Sequence, residues 1–206
     1  MGKARFVGVD IGTTSVKAAV IDTAGTVISK FSQTYPTRRL PGGVVEQDPQ
    51  DWIRLVSRAF DDMTLDGVVA VGLTSQVNTH VFTGADNQAL MPAIVWQDGR
   101  AQSEASALDS QISEARKLEW WGAPMPIDAS HACSRMAWVA AHHPKLWDKT
   151  RWTLLPKDYV ALHLTGHAAT DPLSSIGLVR SDLTYIDEVF DLVPGARDRA
   201  APLNGV

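Results

Sequence analysis

The chain of 206 residues has little cysteine, no block of like charges and no long apolar run. Its single cysteine, Cys133, excludes an internal disulfide and is typical of a reducing cytosol. No apolar stretch approaches membrane-spanning length, and no signal-peptide hydrophobic region precedes the first predicted strand. Lysine and arginine are scattered and the net charge is −4, which argues against a nucleic-acid surface. We therefore expect a cytoplasmic globular protein that binds neither nucleic acid nor membrane.

The most informative segment that is present is GVDIGTTSVK, residues 8–17. Asp10 ends a short apolar strand and leads directly into a turn that contains Gly12, Thr13 and Thr14. Gly12 permits a positive φ and the close approach of a ligand, and the threonine hydroxyls can donate to phosphate oxygens. Asp10 can hold magnesium through its water shell. The segment predicts a site for a magnesium-bound polyphosphate.

Ordinary turn chemistry is an alternative, because Asp-x-Gly-Thr also occurs in hairpins where the aspartate only caps the turn. The following pattern favours phosphate binding: residues 16–22 and 26–35 predict two further strands, which gives a strand–turn–strand rather than a Walker loop. Lys17 could neutralise phosphate charge, although a lysine on such a strand is more often simply solvated.

The next segments predict a helix and a parallel strand. Residues 36–45 are polar and predict a loop. Asp48 and Pro49 form an N-cap and a first helical position, and apolar residues at helical spacing follow them. Residues 68–73 are a continuous apolar run, which is typical of an interior parallel strand. The predicted order is therefore β-β-β-α-β, and residues 81–82 and 93–96 are expected to form a hairpin-like insertion.

A second polar cluster, residues 74–80, follows this strand. Ligands of open α/β sheets bind outside the carboxyl ends of strands, so the cluster and Asp10 should face one crevice. Gln76 and Asn78 alternate on one side of a segment that we expect to be extended, and their amides suit polyol hydroxyls. His80 has the same parity, but a lone histidine is more often structural than catalytic.

Trp96 and Asp98 lie where an apolar strand meets polar residues, the composition of many sugar sites. The alternative is that Trp96 caps the core and Asp98 is the N-cap of the next helix. A nuclease of the ribonuclease-H type has the same strand order, but two-metal chemistry needs more carboxylates, and the strand at residues 68–73 leads into Thr-Ser-Gln without one.

Together these segments resemble the FGGY family of carbohydrate kinases, in particular its xylulokinase-like members. The matching segments, in chain order, are residues 8–17 (GVDIGTTSVK), 45–49 (VEQDP), 72–76 (GLTSQ), 94–100 (IVWQDGR), 155–159 (LPKDY), 164–166 (LTG) and 169–171 (ATD). The resemblance implies an α/β, ribonuclease-H-like and actin-like fold, with a mixed sheet flanked by helices. It also implies transfer of the ATP γ-phosphoryl group, with magnesium, to a hydroxyl of a ketose or polyol such as xylulose.

The resemblance implies the following residue roles: Asp10 as the metal-organising carboxylate, Gly12, Thr13, Thr14 and Lys17 at the phosphates, and Gln76, Val77, Asn78, Trp96 and Asp98 at the substrate. Xylulokinases commonly place methionine and histidine at the positions of Val77 and Asn78, and glycerol kinases place arginine and glutamate there. The resemblance therefore leaves the sugar or polyol open.

Family members are considerably longer than this chain. Their catalytic base, an aspartate in a glycine-rich segment, and their C-terminal nucleotide-binding domain have no counterpart before Val206. We expect residues 1–206 to be an incomplete N-terminal domain that has little kinase activity alone. A non-catalytic sugar-binding or regulatory module is the alternative, and a homodimer is an assembly compatible with either interpretation.

Overall fold

Residues 4–204 are described by a computed structural model. The strands are β1 (Arg5–Ile11), β2 (Ser15–Asp22), β3 (Val27–Thr34), β4 (Arg38–Leu40), β5 (Val44–Gln47), β6 (Val68–Ser75), β7 (Val81–Thr83), β8 (Ala93–Ile94) and β9 (Trp152–Leu154). The α-helices are α1 (Pro49–Asp62), α2 (Gln102–Asp109), α3 (Glu114–Trp121), α4 (Ala132–His142), α5 (Pro144–Lys149), α6 (Pro156–Thr165) and α7 (Asp187–Phe190).

The central sheet has the strand order β3-β2-β1-β6. The first three strands form an antiparallel meander, as expected, and β6 runs parallel to β1. The register places Asp10 between Lys17 on β2 and Thr74 on β6. The aspartate therefore lies at the carboxyl end of β1, directly beside the carboxyl end of the parallel strand.

Helix α1 begins as its sequence predicts. The Asp48 carboxylate accepts a hydrogen bond from the Gln50 N–H at 2.9 Å, and Pro49 takes the first helical position, where its missing N–H costs nothing. The apolar face of the helix packs with α6 on one face of the sheet. The large side chains buried there each contribute about 1.5–3 kcal/mol by leaving water. They include Val7, Val9, Ile11, Val16, Val20, Trp52, Leu55, Val56, Tyr159 and Leu162.

The predicted interior position of β6 is wrong for the described residues. The strand is parallel, but within residues 4–204 it pairs only with β1 and forms the edge of the sheet. Val69 is 65% exposed and Val71 46%. A continuous apolar run indicates apolar surroundings on both faces, and residues 4–204 do not supply them. Phe6, Gly8 and Gly72 on the opposite face of the sheet are likewise exposed.

Two short sheets and a second apolar cluster complete the fold. The first sheet has the order β4-β5-β8, so residues 36–45, which we predicted to be a loop, instead contribute a hairpin. Antiparallel bridges between His80 and Ile94 and between Thr83 and Ala89 give residues 80–94 the hairpin-like form that we expected, and β7 pairs in addition with the distant β9. Such short strands take their partners from tertiary contacts, which local sequence does not encode. Helices α2 to α5 and α7 surround the second cluster.

Candidate functional site

The turn between β1 and β2, residues 12–14, presents unused donors. The Gly12 N–H donates to the Ser15 carbonyl at 3.0 Å, and the Tyr35 N–H donates to the Thr14 carbonyl at 3.3 Å. Among residues 4–204, the N–H groups of Thr13 and Thr14 have no acceptor. Successive free amides of this kind form an anion-binding concavity, so the turn can bind phosphate oxygens. We call residues 12–14 the phosphate loop.

Gly12 is required for a different reason from the one predicted. Its φ lies outside the left-handed region. A Cβ at this position would stand 3.3 Å from the Ser15 carbonyl oxygen and 3.6 Å from Oδ2 of Asp10. Glycine therefore keeps the space beside the aspartate open. The Tyr35 hydroxyl donates to the Gly12 carbonyl and holds the loop from the opposite side.

The Asp10 carboxylate has no hydrogen-bond or ion-pair partner within residues 4–204. It borders a groove of about 460 Å³ that Lys17, Gly72 and Thr74 also line. Among the described residues no cluster of three ionisable side chains could hold a metal by itself. Magnesium bound to a nucleotide takes one or two protein carboxylates and completes its shell with phosphate oxygens and water. A free aspartate beside a phosphate loop fits that requirement.

A closed hydrogen-bond ring joins the phosphate loop to the second polar cluster. Trp96 donates from Nε1 to Thr13 Oγ1 at 3.1 Å and from its backbone N–H to Thr79 Oγ1 at 3.1 Å. Thr79 Oγ1 donates to Gln76 Oε1 at 3.1 Å, and Gln76 Nε2 donates to Gln47 Oε1 at 2.7 Å. Gln47 Nε2 closes the ring by donating to the Thr13 carbonyl at 2.8 Å. Hydrogen bonds therefore connect the phosphate loop directly to the second polar cluster.

The ring changes the interpretation of Gln76. Its amide is bonded within the ring, and Nε2 also donates to the Tyr35 hydroxyl at 3.4 Å. The segment that follows is bent rather than extended, because Asn78 has a φ of 55°. The expectation that Gln76 and Asn78 share one side of an extended segment is therefore wrong. A sugar contact by Gln76 stays a prediction.

Asn78 belongs to a different polar group. Its Nδ2 donates to Ser130 Oγ at 3.2 Å, and Ser130 Oγ donates to Asp128 Oδ1 at 2.7 Å. Val77 is exposed next to it. We missed Ser130 and Asp128 as site residues because they are distant in sequence. The sequence signal for them is weak: they follow a segment that contains Pro124 and Pro126.

Trp96 and Asp98 have contrasting environments. The Trp96 ring is 44% exposed at the crevice. The Asp98 side chain is fully buried, and it accepts hydrogen bonds from the Val45 N–H at 2.6 Å and from Arg100 Nη2 at 2.8 Å. Its other oxygen accepts from the N–H and the Nε of Arg100, both at 2.9 Å. Asp98 thus ties β5 to the segment after β8, and a sugar contact by this residue stays a prediction. Asp98 is not an N-cap either, because Ala101 precedes α2.

His80 lies below this crevice and is buried. Burial, with a smaller contribution from the charge of Arg135, lowers the pKa of its imidazole well below the ordinary value. The ring is therefore neutral at physiological pH, and its Nδ1 lies 3.2 Å from Arg135 Nη1. This environment agrees with the structural role that we expected for a lone histidine.

Comparison with known proteins identifies the family. Residues 5–180 match the family model described as the FGGY family of carbohydrate kinases, N-terminal domain. The chain belongs to this family. The resemblance inferred from the motifs is thereby confirmed.

Several curated proteins to which this chain is similar are xylulose kinases. The chain is 29% identical to xylulose kinase from Escherichia coli (strain K12) over 186 residues, which cover 88% of this chain and 38% of that protein. It is 29% identical to xylulose kinase from Bacillus subtilis (strain 168) over 213 residues, with 96% and 41% covered. The chain therefore spans about two fifths of the length of these relatives.

Solved sugar kinases have the same fold. A xylulose kinase from Brucella ovis superimposes with a TM-score of 0.88 at 24% identity, covering 97% of this chain and 43% of that one. Plasmodium falciparum glycerol kinase with ADP superimposes with a TM-score of 0.83 at 16% identity, covering 98% and 43%. The predicted actin-like α/β fold, with its mixed sheet and flanking helices, is confirmed.

Within residues 4–204, no helix has both the length and the apolar character needed to cross a bilayer.

Proposed function

We propose that the protein containing this chain is an ATP-dependent kinase that transfers the γ-phosphoryl group to a hydroxyl of a ketose or polyol such as xylulose. One observation carries the proposal: the 3.1 Å hydrogen bond from Trp96 Nε1 to Thr13 Oγ1. Phosphoryl transfer depends mainly on placing the acceptor hydroxyl next to the phosphate. A sugar-stacking ring bonded directly to a phosphate loop suits that task.

The phosphate side of the site has three parts. The free amides of Thr13 and Thr14 would bind phosphate oxygens, and Asp10 would hold the magnesium of Mg·ATP. Lys17 is opposite Asp10 in the register and exposed, so its ammonium group can approach the same phosphates. When bound, the metal would neutralise charge on the phosphates. This chain's residues then orient the triphosphate and leave the acceptor side free.

The acceptor side combines an apolar face with hydrogen-bonding groups. The exposed Trp96 ring and the Val77 side chain would contact the C–H faces of the substrate. Asn78 and Ser130 would bind its hydroxyls, because both can donate and accept. The xylulose kinase relatives support a ketose as the first candidate substrate.

Residues 1–206 would form the acceptor side and the first phosphate loop, and a separate C-terminal domain would supply the general base and the remaining nucleotide contacts. The greater length of the relatives supports this division. We expect little turnover by residues 1–206 alone, because a cleft with one wall neither excludes water nor aligns the acceptor. The single cysteine supports a cytoplasmic location.

The test is sugar-dependent ADP release by the full-length protein with Mg·ATP and a panel of xylulose, ribulose, glycerol and gluconate. At least one panel member should be phosphorylated. Asp10→Asn should lower kcat by at least about a hundredfold and leave sugar affinity by calorimetry within about twofold of wild type. Asp61→Asn, the same change at an exposed position on α1, is the matched control and should be neutral.

Two outcomes would overturn the proposal. If the protein binds a sugar but releases ADP with no member of the panel, the non-catalytic sugar-binding module is favoured. Full activity of Asp10→Asn would show that Asp10 does not hold the magnesium.

A further inference from the structure

Arg135 is a cation in the buried interior. It lies near the start of α4, and its side chain is among the largest that are fully buried. Within residues 4–204 no carboxylate comes within ion-pair distance of its guanidinium. Isolated buried charge is expensive, so a cation in this position must have a specific set of polar partners.

Backbone carbonyls provide those partners. Arg135 Nη2 donates to the Val95 carbonyl at 2.6 Å, and Nη1 donates to the Ile94 carbonyl at 2.7 Å. Nη1 also donates to the Asn78 carbonyl, and Nε donates to the Ala129 carbonyl at 3.2 Å. Guanidinium offers five N–H donors in a rigid planar fork, whereas lysine offers three on a flexible stem. Arginine can therefore satisfy all four carbonyls at once.

The four carbonyls belong to three separate chain segments, and each segment carries one acceptor-side residue. Asn78 accepts through its own carbonyl, Val95 directly precedes Trp96, and Ala129 directly precedes Ser130. The antiparallel bridge between His80 and Ile94 also joins the first two segments, whereas no backbone hydrogen bond joins either of them to Ala129 within residues 4–204. The guanidinium is the common point at which the three segments meet.

We propose that Arg135 is a positioning residue of the acceptor pocket, which holds Asn78, Trp96 and Ser130 at the spacing that a polyol substrate requires. The proposal rests on the proposed function, since it concerns the same pocket. Arg135 acts through the backbone and does not touch the reacting atoms.

The guanidinium remains charged under working conditions. Burial lowers the pKa of Arg135 to about 9, which is still well above neutral pH. Asp98 and Asp128 are the acidic groups that favour its charged form from a greater distance, and Arg100 disfavours it. The four carbonyl bonds therefore keep their charge-assisted strength in the range in which kinases work.

The first experiment compares Arg135→Lys with Val189→Ala in the full-length protein. Val189 is buried in the second apolar cluster, which also contains Met136, the neighbour of Arg135. The control therefore destabilises the same region without removing a carbonyl partner. Both variants are studied under conditions in which urea unfolding shows them to be folded.

Two readouts separate positioning from general stability. In protein labelled with 5-fluorotryptophan, the Trp96 ¹⁹F resonance, assigned by Trp96→Phe, should shift in Arg135→Lys and stay in place in Val189→Ala. The KM for the sugar should rise at least tenfold in Arg135→Lys, while kcat stays within threefold of wild type. An unmoved Trp96 resonance together with an unchanged KM would overturn the proposal, as would equal changes in the control.

A further measurement covers the case in which Arg135→Lys does not fold. Wild-type protein is labelled with ¹⁵N-arginine and saturated with sugar. The slowly exchanging Nε–H resonance of Arg135 should then shift, and the absence of a shift would overturn the proposal. If wild-type protein binds no sugar, the proposed function fails by itself. The ¹⁹F comparison between the two variants then still decides whether Arg135 positions Trp96.

Discussion

Gln47 offers a direct test of the hydrogen-bond ring. Gln47 is only 1% exposed, and its side chain makes three hydrogen bonds. Nε2 donates to the Thr13 carbonyl at 2.8 Å and to Thr37 Oγ1 at 2.7 Å, and Oε1 accepts from Gln76 Nε2 at 2.7 Å. The substitution Gln47→Met keeps the length and approximate volume of the side chain and removes all three bonds.

The expected loss of unfolding free energy is about 3 kcal/mol, at about 1 kcal/mol for each net hydrogen bond. The half-buried Thr13 carbonyl and the Thr37 hydroxyl can regain some bonding from water, whereas Gln76 keeps its contact with Tyr35. The functional effect should be larger than this loss of stability implies. With its tether gone, Thr13 can move relative to Trp96, and small misplacements cost one to two orders of magnitude in rate.

The assay is urea unfolding followed by tryptophan fluorescence, together with sugar-dependent ADP release by the full-length protein. Gln111→Met is the matched control, because Gln111 is exposed just after α2 and its side chain, within residues 4–204, bonds only to the Ala107 carbonyl. The control should change stability by no more than about 0.5 kcal/mol. A Gln47→Met protein with wild-type stability and turnover would refute the structural reasoning about the ring.

Two further predictions concern buried titratable groups. Burial lowers the pKa of His80 and of His131, so the unfolded chain takes up protons below about pH 6.5 while the folded chain resists them. The stability that these histidines contribute should therefore be present at pH 7.5 and fall towards pH 5.5, by at most about 1.4 kcal/mol per pH unit for each histidine. Urea titrations at the two pH values measure the loss of stability. The variant His167→Gln, at an exposed residue, is the control and should show the same loss. Equal stability at both pH values would contradict the lowered pKa of the two buried histidines. Burial also raises the pKa of Cys133 to about 12, so a thiol reagent at pH 8 should label the chain only after denaturation; rapid labelling of folded protein would show that the thiol is accessible.

Local sequence was sufficient where short-range physics decides the structure. Helix α1 starts at Pro49 because Asp48 caps it and its apolar residues recur at helical spacing. Strands β1 to β3 follow from apolar alternation and tight turns, and the exposed loop at Thr13 and Thr14 follows from residue chemistry alone. These features depend on neighbours within a few positions, so a sequence read by itself contains them.

Long-range pairing accounts for the expectations that failed. The apolar run of β6 predicted a buried strand, but burial depends on which other segments cover it, and residues 4–204 leave it at the edge. Strand β7 also has a partner strand some seventy residues away, which the local sequence did not predict. The substrate contact by Asp98 stays a prediction, but the sequence did not show that one of its oxygens accepts from the Val45 N–H of β5 and that both accept from Arg100.

The sequence alone determined that this chain resembles an FGGY-type domain and that an aspartate and two threonines meet at one turn, because those motifs are contiguous. Only the tertiary structure decided how that turn meets the acceptor side. Gln47, Thr79, Trp96 and Arg135 are far apart in the chain, and their roles exist only once the backbone brings their donors and acceptors within about 3 Å of one another. Hydrogen bonds are short-range and directional, so no pattern along the chain can encode such a ring.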